Sequence, residues 1–135
     1  MARRWRGFTL VELLIGVALA ALLATFAWPM MQGQLTQARR ADATAALHVV
    51  QLAQERHLAQ YGLYAQNLVE LGRPDRSPEG LYRIELQPAG ADTYLAVARP
   101  APGGPQAADR GCAEITLRVA QGFAQPGPSA ACWAR

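Results

Sequence analysis

The sequence predicts an α+β protein. One long N-terminal α-helix, membrane-spanning in its first half and amphipathic in its second, packs on an antiparallel β-sheet of three to four strands, and a C-terminal loop is bounded by a cysteine pair. Three observations carry this. First, residues 8–31, FTLVELLIGVALAALLATFAWPMM, form an apolar run whose one charge is Glu12, and no further charge occurs before Arg39. At ~1.5 Å per residue such a run spans ~36 Å, enough for a ~30 Å hydrocarbon core. Second, residues 32–60 contain no proline and a single glycine, Gly33, and good helix formers dominate them. Third, beyond Gly80 three β-rich runs are separated by turn-forming residues.

The 135 residues leave room for one domain. Once the apolar N-terminus is set aside, about 100 residues remain, enough for a small core that buries roughly 60–65% of its unfolded surface. The formal charge of +3 is unevenly placed: all 13 basic residues are arginine, and Arg3, Arg4 and Arg6 precede Gly7. The ten remaining arginines balance ten acidic residues, so the basic character belongs to the leader.

Residues 1–7 are too short and too polar to fold. A secretory signal would continue into a 7–15-residue apolar region and a small-residue cleavage site. Here the apolar run is longer than that, and no Ala-x-Ala before a polar mature start closes it. Trp5 and Trp28 stand near its ends, where interfacial aromatics tend to sit. The positive-inside rule keeps the arginines in the cytoplasm and exports everything after the helix. In an exported segment, Cys112 and Cys132 read as a disulfide ahead of a metal site or a redox motif. A plain membrane anchor accounts for all of this except Glu12. A carboxylate inside a span costs ~2.5–3.5 kcal/mol at its centre, less near an end, and is a functional candidate by default.

Gly7-Phe8-Thr9-Leu10-Val11-Glu12 followed by an apolar run resembles the class III signal of type IV prepilins and the related pseudopilins. The resemblance implies that a prepilin peptidase cuts after Gly7 and methylates the new amine of Phe8, and that Glu12 pairs with that amine during assembly. Pro29 is similar to a helix-interrupting proline of type IV pilins. Its missing N–H weakens the helix ladder one turn back, near Thr25, where the family's helix stretches or melts in the fibre. The implied domains are a leader at 1–7, a hydrophobic transmembrane and assembly helix at 8–35, and a periplasmic head at 36–135. The implied partners are other pilin subunits, the prepilin peptidase, the inner-membrane assembly machinery and, before assembly, the inner membrane itself.

Within the head, Ala38, Ala41, Ala45, Val49, Leu52 and Ala53 fall on one helical stripe and read as the face that lies on the sheet. Arg39, Arg40 and Asp42 read as a solvated face or a contact between subunits. Gly62 ends the helix. Residues 63–80 form the loop to the sheet, and strands follow at 81–87, 93–99 and 114–119, with Ala89–Asp92 as a hairpin turn. Residues 100–111 and 121–131 read as loops rich in proline and glycine. The cysteine-bounded C-terminal segment is similar to the variable region of pilin heads, and the Cys132-Trp133 ending resembles that of small type IVa pilins. Trp133 reads as a cover for the sheet edge.

Catalysis finds no support. Ser77 and Ser129 are the only serines, both beside prolines, and no phosphate loop or clustered metal-ligand set is present. His48 and His57 are nine residues apart and do not converge on a helix, so no metal or cofactor is expected. The resemblance therefore implies a structural subunit of a type IV pilus, of the small or minor kind, that supports adhesion, twitching motility or DNA uptake. Two alternatives stay open: a type II secretion pseudopilin, and a DNA-binding competence minor pilin whose positive strip is drawn from Arg73, Arg76, Arg83, Arg99, Arg110 and Arg118.

Overall fold

The computed structural model describes residues 8–133. The order is α1 (Leu10–Tyr61), β1 (Tyr82–Pro88), β2 (Thr93–Pro100), a short 3₁₀ turn at Arg110–Cys112, β3 (Ile115–Ala120), β4 (Phe123–Gly127) and a second 3₁₀ turn at Ala130–Trp133. The chain divides between Leu35 and Thr36 into two compact units.

In the first unit α1 opens on Thr9, whose Oγ1 accepts the Glu12 N–H at 3.2 Å and whose carbonyl accepts the Leu13 N–H at 3.1 Å. A threonine at this position satisfies one of the donors that a helix start leaves orphaned. The helix runs on through Pro29. One turn earlier the Thr25 hydroxyl donates to the Leu22 carbonyl at 2.6 Å, in the stretch where proline deprives a carbonyl of its helical partner. The apolar side chains of this unit are exposed, from Phe8 to Met31, as suits a segment whose solvent is not water.

The second unit is the head. Its sheet runs β1-β2-β3-β4, every pair antiparallel. One face carries Tyr82, Ile84, Tyr94, Ala96, Ala98, Ile115, Leu117 and Val119, which close a core with Ala43, Ala46, Leu47 and Val50 of α1. Gly62, at φ +76°, ends the helix in the left-handed region open to glycine. The chain then folds back on α1: Gln54, fully buried, donates through Nε2 to the Ala65 carbonyl at 3.0 Å and accepts the Ala65 N–H at 2.8 Å.

The structure corrects three sequence expectations. The stripe Ala38, Ala41, Ala45, Val49 and Leu52 faces outward, and of that set Ala53 alone is buried. The buried face is Asp42, Ala43, Ala46, Leu47, Val50, Ala53 and Gln54, because alanines surround the helix and volume does not mark its inner side. Arg40 and Asp42 form no solvated face. The Asp42 carboxylate is buried and accepts the backbone N–H groups of Glu79 at 3.0 Å and Leu81 at 3.4 Å, pinning the chain before β1. Arg40 grips Asp109 through Nε at 2.8 Å and Nη2 at 2.9 Å. Finally, part of the expected loop at 121–131 is β4, started by a tight turn at Gln121 (φ 51°) and Gly122 (φ 81°).

Cys112 and Cys132 are joined, with Cα atoms 5.7 Å apart and 20 residues of separation. Both are buried, and Trp133 Nε1 donates to the Gly127 carbonyl at 2.8 Å, covering the end of β4. Replacing both cysteines by alanine is expected to cost about 3 kcal/mol, since loops of this length gain about that much from closure. Thermal melts of the detergent-solubilised chain, with the wild type run with and without reductant, check it.

Candidate functional site

Two regions carry chemistry. The first is the start of α1. Gly7, Trp5 and the leader arginines lie outside the described residues, so the expected cleavage bond does too. Phe8 is described and exposed, as is Glu12. Thr9 caps the helix through the Glu12 backbone, and the Glu12 carboxylate itself has no partner among the described residues.

The second region is the outer face and edge of the sheet. Residues opposite one another in a ladder share a face. Arg83 of β1 stands opposite Arg99 of β2, and the loop before β1 adds an isolated bridge that sets Arg76 opposite Arg83. The Ser77 N–H to Tyr82 carbonyl and Ile84 N–H to Asp75 carbonyl bonds, at 2.9 and 2.8 Å, flank the Arg76–Arg83 pair. That makes it a non-hydrogen-bonded pair, the kind whose side chains come closest. Arg76, Arg83 and Arg99 therefore form one row across three neighbouring backbone segments, on the face turned away from α1.

Like charges directly opposite in a sheet are destabilising, and among the described residues salt bridges meet only the Arg99 end of the row. Arg99 contacts Glu85 and, through Nη2 at 3.2 Å, Glu114. The hydrogen bond from Arg99 lowers the Glu85 pKa, and the same bond raises that of Arg99. Arg76 and Arg83 have no ion pair among the described residues, although Asp75 and Glu79 stand in the same loop as Arg76.

Beside Arg76 opens a cavity of ≈ 360 Å³ between Ala46, Val49 and Val50 of α1, Ile84 of β1 and the loop at 73–78. Arg73 lines it as well, and its buried Nε has no hydrogen-bond partner among the described residues. Of the six arginines expected to supply a positive strip, the structure thus gathers Arg76, Arg83 and Arg99 and adds Arg73 through the cavity. Arg118 is exposed on the same outer face but opposite Leu95, and Arg110 lies in the 3₁₀ turn after Asp109. The cavity itself had no sequence signal beyond the two prolines, Pro74 and Pro78, that stiffen its wall.

The histidines do not converge. His48 meets Trp133 edge to face at 5.4 Å, while His57 contacts the Leu63 carbonyl at 2.9 Å and packs on Tyr61. Among the described residues no cluster of His, Cys, Asp and Glu could hold a metal ion.

Two known families match parts of the chain. Residues 3–28 match the prokaryotic N-terminal methylation motif. Residues 29–116 match the family described as type IV minor pilin ComP, DNA uptake sequence receptor. No curated protein matches the chain.

Proposed function

The chain belongs to the type IV minor pilin family described by ComP, a family of structural pilus subunits, and on that premise we propose a maturation route and a ligand for it. The apolar helix and the methylation motif fit a membrane-anchored subunit that later joins other pilin subunits in a pilus. The match favours a pilus subunit over a type II secretion pseudopilin.

The route is as follows. The precursor inserts with its arginines in the cytoplasm and the head in the periplasm. Prepilin peptidase cuts between Gly7 and Phe8 and methylates the Phe8 amine, and the inner-membrane machinery moves the subunit into the fibre. There the Glu12 carboxylate of one subunit meets the Phe8 amine of a neighbour. Pro29 keeps the helix ladder weak near Thr25, where the fibre can stretch. The methylation motif, ending one residue before Pro29, supports this reading.

The head binds DNA through the arginine row. The observation that supports this is the placement of Arg76 and Arg83, opposite each other and in no salt bridge among the described residues, on a chain whose charges after residue 7 sum to zero. Each phosphate neutralised releases counter-ions, so affinity falls with log[salt] by a slope of about −0.9 per contact. The detergent-solubilised full chain, titrated with duplex DNA over a range of salt, is expected to show such a slope. Arg76→Gln and Arg83→Gln are each expected to flatten it by about one. A flat response in the wild type, or no binding, overturns the DNA reading and leaves the pilus subunit intact.

A further inference from the structure

The salt bridges of the arginine row gather at one end of it. Glu85 lies two residues beyond Arg83 on β1, and therefore on the same outer face. Its carboxylate accepts a hydrogen bond from Arg99, whose Nη2 also donates to Glu114 at 3.2 Å. Gln87, two residues further along the strand, hydrogen-bonds the Glu85 carboxylate as well. Arg99 thus stands between two carboxylates, one from β1 and one from the residue before β3.

These pairs do little for the fold. The side chains of Arg99, Glu85 and Glu114 are 43%, 42% and 49% exposed, and ion pairs this open to water add little stability. What they change is the reception of an anion. A phosphate that would use the Arg99 guanidinium meets two negative charges already seated on it, whereas one approaching Arg76 and Arg83 meets no such pair among the described residues.

We infer that Glu85 and Glu114 keep Arg99 out of phosphate contact, so that the head grips the DNA backbone with Arg76 and Arg83 alone. The two carboxylates take the place of a phosphate at the third position of the row and hold the affinity below what three guanidiniums would give. The hydrogen bond from Arg99 lowers the Glu85 pKa, so this carboxylate is ionised at neutral pH and the competition is always present there. Phosphate contacts carry no sequence information. A restrained grip on the backbone therefore releases DNA that offers nothing else to bind.

This inference rests on the DNA reading above, and its test separates the two. The detergent-solubilised full chain is titrated with one duplex over a range of salt as wild type, as the double variant Glu85→Gln/Glu114→Gln, and as the triple variant that adds Arg99→Gln. Melting curves of both variants are expected to stay close to that of the wild type, because the pairs are exposed. One more phosphate contact steepens the salt slope by about 0.9, which at about 0.15 M salt is roughly fivefold in affinity. The double variant is expected to gain both, and the triple variant to return to the wild-type slope.

A double variant that keeps the wild-type slope overturns the inference and spares the DNA reading. A triple variant flatter than the wild type by about 0.9 would then show that Arg99 already meets a phosphate. A steeper slope that survives in the triple variant is a general effect of removing negative charge, and it overturns the inference too. A flat salt response in the wild type removes the DNA reading, and this inference with it.

Discussion

Glu12→Val is expected to leave membrane insertion and leader cleavage at wild-type levels while lowering the chain's share of sheared fibres at least about tenfold, the effect of roughly 1.4 kcal/mol. Cleavage after Gly7 would create an amine on Phe8, four residues before Glu12. With a pKa of ~7.7–8, such an amine is largely cationic at neutral pH. At an effective dielectric of ~20, opposite charges ~4 Å apart attract by ~4 kcal/mol, well above the tenfold threshold even after losses to desolvation.

The structure makes the substitution a clean one. The helix start is capped by Thr9 through the backbone of Glu12, and the carboxylate plays no part in that bond. Its own value to the helix is the macrodipole contribution of an acid in the first turn, ~0.3–1 kcal/mol. Loss of fibre incorporation therefore reports a contact outside the subunit. Thr9→Ala serves as the comparison, since it removes the cap, worth ~1 kcal/mol, and leaves the charge. Quantitative immunoblots of whole cells and sheared fibres measure both variants. Normal incorporation of Glu12→Val would overturn the assembly contact.

Much of the fold was legible because its signals are local. The unbroken apolar run, the glycine after Tyr61, the turn residues at 89–92 and the cysteine pair each act within a few residues. The strand β4 was not legible. FAQPG shows no alternation and contains a proline, and it becomes a strand because the turn at Gln121-Gly122 lays it against β3. A proline is tolerated on such an edge strand.

The arginine row shows the same limit at the site. All its members were visible in the sequence as a possible positive strip, but not which of them meet. Closing the hairpin with Pro88 opposite Thr93 would set Arg83 opposite Ala98. The observed register pairs Pro88 with Tyr94, and so Arg83 with Arg99. A one-residue slip moves a side chain to the other face, so the row depends on a detail that turn composition does not specify. The buried face of α1 was hidden for a related reason. Arg40, Asp42 and Gln54 look like surface residues until partners far along the chain, at 109, 79 and 65, are brought to them.

Of these long-range contacts, Arg40–Asp109 is expected to be the costliest to break. The side chains are 17% and 5% exposed, and the Arg40 Nη1 also donates to the Ala131 carbonyl at 3.1 Å. Arg40 thus ties α1 to both ends of the disulfide-bounded segment. Asp109→Ala leaves the guanidinium buried without its counter-ion, and removing one partner of a buried pair costs ~3–5 kcal/mol. For a head of this size that lowers the melting temperature by more than about 10 °C. Replacing both, as Arg40→Met with Asp109→Leu, is expected to recover most of the loss, because no uncompensated charge remains. The hydrogen bond from Arg40 holds the Asp109 pKa below its ordinary value, against the opposing effect of burial. A depressed carboxylate contributes stability that is fully present above its unfolded pKa, about 3.9, and is lost as pH falls through the folded value. The wild type is therefore expected to lose stability on acidification below about pH 4, and Asp109→Asn to show a flatter acid limb. Melting curves of the detergent-solubilised chain between neutral and acid pH measure this. An unchanged acid limb in Asp109→Asn, with a melting temperature near that of the wild type, would show that the pair contributes little and that the disulfide alone holds the segment.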